Sequence, residues 1–276
     1  MSIEWPLVLF TIFAGSGAGV LAFAGVGEFF GTSKKVRSFA AIAALVLLIV
    51  GGLFSLLHLG NPGNFMAAAT NVFSFSPISL ELIFLGLGVI IALIYLVVIN
   101  REGMASKILG VCGIIIGVLF AYFSGHIYEI VAIRPAWAVP TLSFTYMLSA
   151  LTIGGFLLLT FQILLKDEKD SVKKIALVVL IVAVLTVIMY IIYGVIAPIG
   201  DNAALFWIVA VAIGGLVAVI AGLLVYMKNM NAMVYVGILT AIAGGVAFRA
   251  VMWLSGSAFV PNLFDIAQNA RNLFPF

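Results

Sequence analysis

Charged side chains make up only 8% of the 276 residues, histidine occurs twice and cysteine once. So little charge excludes a water-soluble globule of ordinary proportions, in which about a quarter of residues are charged. Cys112 stands alone in an apolar stretch, which excludes an internal disulfide, a Cys-x-x-Cys-His haem attachment and a cysteine set for an iron–sulfur cluster. Any redox metal centre therefore belongs to another subunit. Basic residues never form a continuous face, so the net charge of +3 and pI near 9.0 describe topology rather than an affinity for nucleic acid. The opening Met1-Ser2-Ile3-Glu4-Trp5-Pro6 lacks a basic n-region, and the apolar stretch behind it is too long for a signal h-region. It reads as a retained first span.

What the chain does have is apolar surface: 65% of its residues are hydrophobic and its mean hydropathy is +1.32. These values predict an all-α integral membrane protein. A helix needs roughly 20 residues to cross about 30 Å of hydrocarbon. Hydrophobic runs bounded by charge, Pro or Gly predict eight spans, at 5–30, 37–59, 78–99, 105–128, 141–165, 173–197, 203–227 and 231–256. Residues 1–276 then form a single membrane domain, with no length left for a soluble one. The spans divide into two four-helix bundles near Pro135–Pro140. Ser76-Pro77 is a start signal for the third span, with Ser as the cap and Pro in the first turn, and Pro140-Thr141 introduces the fifth similarly. Gly15-x-x-x-Gly19, Gly113-x-x-x-Gly117 and the pairs Gly154-Gly155, Gly214-Gly215 and Gly244-Gly245 predict close helix crossings.

Basic residues alternate between connections. Those after spans one, three, five and seven hold Lys34, Lys35, Arg37, Arg101, Lys107, Lys166, Lys169, Lys173, Lys174 and Lys228, ten of the thirteen. The other side holds Arg134 and Arg271, and Arg249 lies within the last span. The positive-inside rule makes the basic connections cytoplasmic and puts both termini on the outer, periplasmic side of the cytoplasmic (inner) membrane.

Against that topology the ionisable residues inside spans gather near the outer face. His58 lies 21 residues above Arg37, roughly 31 Å at 1.5 Å per residue, and Arg249 lies 18 residues above the start of its span, about 27 Å. Glu81 enters in the first turns of the third span, and His126, Tyr128 and Glu129 close the fourth. A charge facing lipid costs on the order of 2.5 kcal/mol or more, so such groups face one another, a partner or water. An imidazole, a carboxylate, a phenol and a guanidinium together can hydrogen-bond a quinone carbonyl and move protons as it changes redox state. Each residue also has a structural explanation. His58 suits a helix C-terminus and Glu81 a helix N-terminus. Arg249 can snorkel or pair with Glu81, while His126 and Glu129 sit near water. Glu28, at the basic end, is expected to be solvated there. The uncharged segment Asn61–Phe75 is too interrupted to span and too apolar for a free loop, which fits either a covering partner or a helix lying on lipid.

At His58-Leu59-Gly60-Asn61-Pro62 followed by Glu81, the chain resembles the DmsC family, the membrane anchor subunits of dimethyl sulfoxide reductase-type complexes, which are related to the NrfD and polysulfide-reductase anchors. The opening Glu4-Trp5-Pro6-Leu7-Val8-Leu9-Phe10-Thr11-Ile12-Phe13 resembles the family's start. Tyr128 with Pro135-Ala136-Trp137 resembles its fourth outer connection, and Arg249 a basic position in its last span. The resemblance runs the length of the chain and rests on the order and spacing of short motifs. It implies an anchor that oxidises menaquinol near the outer face, in anaerobic respiration. Electrons would pass to an iron–sulfur subunit and then to a molybdopterin catalytic subunit, with no haem or cluster in this chain. It assigns His58 and Glu81 to the quinol site, with Arg249, Tyr128 and His126 as further contacts. Reduction of the terminal substrate would occur elsewhere, so only quinol oxidation could be this subunit's own chemistry. Two other readings stay open at this point: a b-type haem anchor ligated by His58 and His126, and a secondary transporter using Glu81 and Arg249.

Overall fold

The computed structural model describes residues 3–59, 70–99 and 103–256. Without water to satisfy backbone groups, apolar runs of this length form helices. Eight helices long and apolar enough to cross a membrane follow one another, and no strand occurs among the described residues. They are α1 (Trp5–Phe30), α2 (Lys34–Leu57), α3 (Pro77–Val98), α4 (Met104–Glu129), α5 (Leu142–Leu164), α6 (Lys169–Ile196), α7 (Gly200–Lys228) and α8 (Met233–Ser255). Each predicted span coincides with one helix to within four residues. The start of α3 is as expected: Ser76 Oγ accepts from the Ser79 amide at 3.2 Å and Pro77 occupies the first turn. α7 opens with a 3-10 turn, widens into π-helical turns over Phe206–Val217 and returns to α geometry over Ala218–Lys228.

Two expectations change. α2 and α6 begin at Lys34 and Lys169, ahead of the expected 37 and 173, so Lys34, Lys35 and Lys169 lie in first helical turns rather than in connections, with Lys173 and Lys174 in the second turn of α6. The linkers are too short for anything else: Gly31, left-handed at φ 76°, ends α1, and the Thr32 amide returns to Gly27 O at 3.0 Å. The start of α5 is not capped by Thr141, whose hydroxyl is buried without a hydrogen-bond partner. The Glu129 carboxylate does it instead, accepting from the Ser143 amide at 3.1 Å and from the Ser143 hydroxyl.

The helices pack as two rings of four. In one, α1 lies against α2 and α4, and α3 closes the ring against α2 and α4; in the other, α5, α6, α7 and α8 do the same in order. The rings join where α1 and α4 meet α5. α1 is the most buried span. Small residues bring it there: Gly117 lies against Ala18, Gly51 against Ala14, and Gly19 against Ala150 and Gly154. A Cβ at Gly154 would collide with the backbone of Gly19 and Val20. In the second ring a Cβ at Gly244 would come within 2.5 Å of Gly214 Cα. Side chains of α2, α3, α6 and α7 such as Leu53, Ile90, Ile181 and Ile220 point outward, as they must in lipid.

The basic end holds the largest surprise. Glu28 is not solvated; it is buried in an ion pair with Arg37, and it also accepts from Tyr95 Oη at 2.7 Å and from the Ser106 hydroxyl. Arg37 Nε donates to Thr32 O at 2.9 Å. The network continues through Thr32 to Ser171 (3.0 Å) and Gln162, whose amide reaches Ser171 at 3.0 Å and Asp167 at 3.0 Å. Six helices, α1 to α6, are thereby tied together at this end.

Gly154→Val forces two backbones apart and should cost more than about 3 kcal/mol, seen as loss of the folded chain in a detergent melting experiment. Glu28→Leu alone leaves a buried guanidinium unpaired and should cost about 3–5 kcal/mol. Glu28→Leu combined with Arg37→Leu should recover much of that loss, and a double variant less stable than Glu28→Leu would refute the pairing.

Candidate functional site

At the end opposite the basic network, a cleft of about 170 Å³ opens among the first four helices. α1 contributes Leu7 and Phe10, α2 Ser55 and Leu56 with His58 and Leu59 just past its end, α3 Ile78, Glu81 and Leu82, and α4 Ile127 and Tyr128. Its walls are apolar with a few convergent polar groups, the pattern of a small-molecule site. Three of the residues singled out from the sequence, His58, Glu81 and Tyr128, meet there.

His58 is the exposed member and caps the end of α2. Its Nδ1 lies 2.6 Å from the Ser55 carbonyl, which can only accept, so Nδ1 carries the hydrogen of that bond. In the neutral ring this leaves Nε2 as an acceptor. Glu81, one turn into α3, is buried, and no described residue hydrogen-bonds its carboxyl. Its oxygens are open to the cleft rather than sealed in the protein, so a donor entering there can reach them. Tyr128 is buried at the last turn of α4, with its ring held edge-on by Trp137 (5.1 Å between centroids) and Trp253 (5.9 Å) and tilted against Tyr146 (5.7 Å). Trp137 is fixed in turn by donating Nε1–H to Met252 O at 2.9 Å.

Arg249 does not line the cleft and does not pair with Glu81. It lies behind the Tyr128 wall, its guanidinium 4.3 Å from the Tyr146 ring centroid. Nε donates to Thr11 Oγ1 at 2.9 Å, and Nη1 donates to Ser149 Oγ at 3.2 Å and Gly245 O at 3.0 Å. No carboxylate pairs with it among the described residues. His126 is also outside the cleft: it stacks on Tyr122 (5.8 Å) and stands edge-on to Phe123, with Nδ1 buried and lacking a partner. Glu129, next to Tyr128, is occupied in capping α5. The sequence reading missed Ser55, which orients His58, and the Thr11, Tyr146 and Ser149 set that holds Arg249. Hydroxyls inside apolar runs were the available signal.

Of the segment Asn61–Phe75, residues 61–69 lie outside those described, as do Gly60, Arg101 and Arg271. The remainder makes a 3-10 turn at Val72–Ser74, with Phe73 and Phe75 exposed.

In comparisons with known proteins, a family model described as DMSO reductase anchor subunit (DmsC) matches residues 1–209. The matched region contains every residue that lines the cleft and ends before Arg249. No curated protein matches the chain.

His126→Phe keeps the aromatic stack and removes an orphaned buried nitrogen. The variant is expected to melt at the wild-type temperature or higher, by up to about 1 kcal/mol in stability. A clear drop in melting temperature would show that His126 holds a partner.

Proposed function

Because the chain belongs to the DMSO reductase anchor subunit (DmsC) family, we propose that its cleft is a quinol-oxidation site, with menaquinol as the substrate. The chain is a multi-pass membrane anchor in a reductase complex. The observation that carries the quinol reading is Glu81: a carboxyl buried in an apolar cleft beside His58, with no partner among the described residues.

A quinol must lose two protons and two electrons. One hydroxyl donates to His58 Nε2, and the imidazole, exposed at the mouth, passes that proton to water. The second proton goes to Glu81. Tyr128 can hydrogen-bond a ring oxygen, and the Arg249 charge behind it favours negative charge developing there. His126 has no part in this scheme. The electrons leave one at a time for an iron–sulfur subunit docked at the cleft end and continue to a molybdopterin catalytic subunit; the quinol departs as quinone. Cys112 cannot itself supply a cluster, so the receiving centre is the partner's. The positive-inside rule makes the basic end cytoplasmic, with the cleft and both termini facing the outer side of the inner membrane.

His58→Gln and Glu81→Gln each keep a polar side chain but lose the proton acceptor. Quinol-dependent turnover of the complex should fall at least about 100-fold. Turnover driven by a reduced viologen dye, which feeds the iron–sulfur subunit directly, should be unchanged. Wild-type quinol turnover in both variants would refute the assignment.

A further inference from the structure

We propose that the crevice between α2 and α3 beneath the cleft is the berth of the quinol's isoprenoid tail, so that the chain selects long-tailed over tail-less quinols; this rests on the quinol reading above. A second cavity, of about 480 Å³ and almost wholly apolar, begins where the cleft ends, and Leu82 lines both. The two share helix faces. On α3 the shared face carries Ile78 and Leu82 in the cleft and Leu85 and Val89 below it, in three- to four-residue steps, with Glu81 and Ile90 on its opposite flanks. On α2 it runs from Ser55 through Gly52 to Leu48. One groove therefore descends from Ile78 to Val89, eleven residues or roughly 16 Å along the helix.

Gly86 is the telling residue. Glycine inside a helix costs about 1 kcal/mol relative to alanine, and at Gly19, Gly51, Gly154 and Gly244 that cost is explained by a neighbouring helix that a Cβ would strike. At Gly86 a Cβ would meet nothing within 4 Å. It is exposed on the groove, and a larger side chain there would project into it. The polar groups stand only at the top of the groove, which matches a ligand with a polar head and a long apolar tail. A phospholipid fits less well. Its phosphate would lie beside the Glu81 carboxyl in a cleft that contains no lysine or arginine.

The test uses the complete reductase complex and two naphthoquinols with the same ring, one bare and one carrying an isoprenoid tail. Gly86→Leu should raise KM for the tailed quinol by about tenfold, with kcat and the KM for the bare quinol unchanged. Ile90→Ala, at an outward-facing position where folding is not at stake, should raise only the tailed KM, by about threefold. If both quinols turn over and the variants treat them alike, the berth is refuted and the groove holds ordinary lipid, while the quinol site stands. If the wild-type complex oxidises neither quinol, the quinol reading falls and the berth falls with it.

Discussion

The backbone contact between α1 and α5, Gly19 against Gly154, sets where the polar groups at both ends of the molecule come to lie. It holds α1 at the junction of the two helix rings, where it also touches α2 and α4 through Gly51 and Gly117. From that position α1 serves three structures at once. Leu7 and Phe10 wall the cleft, Thr11 receives the Arg249 guanidinium, and Glu28 pairs with Arg37 at the far end. In lipid the hydrophobic effect does not favour one helix contact over another, so close van der Waals approach and hydrogen bonds carry the assembly.

The buried polar groups differ in how completely the protein satisfies them. Glu28 accepts from a guanidinium and two hydroxyls, and Arg249 donates to two hydroxyls and a carbonyl while resting on a tyrosine ring. Those arrangements bind helix to helix. Glu81 and Tyr128 face the cleft with no hydrogen bond from a described residue. A ligand entering the cleft can supply those partners, whereas at the basic end Glu28 already has three and Gln162 Oε1 is the buried atom left over among the described residues there.

The eight spans and the level of His58, Glu81 and Tyr128 were legible in the sequence because hydropathy and the rise per residue determine both. Angle around the helix was less so. His126 and Tyr128 are two residues apart and so point about 200° from each other on α4, which means only one of them can face the cleft. Arg249 has the right height but sits on α8, in the second ring, behind a wall of aromatic rings whose packing no periodicity reveals. Glu28 was misread because a charge one turn from a helix end looks hydrated until the partners that bury it, Tyr95 and Ser106, are brought in from α3 and α4. The cap of α5 escaped notice for the same reason, since Glu129 comes from the preceding helix.

The position of α1 also bears on biogenesis. Gly154, its partner, is made 135 residues after Gly19. At synthesis rates of roughly 5–20 residues per second that interval is about 7–27 s. During it the small-residue face of α1 lies against lipid or a transient neighbour. The order in which the helices enter the bilayer is therefore not the order in which they find one another, and α1 waits in the bilayer for the helix it packs on backbone to backbone.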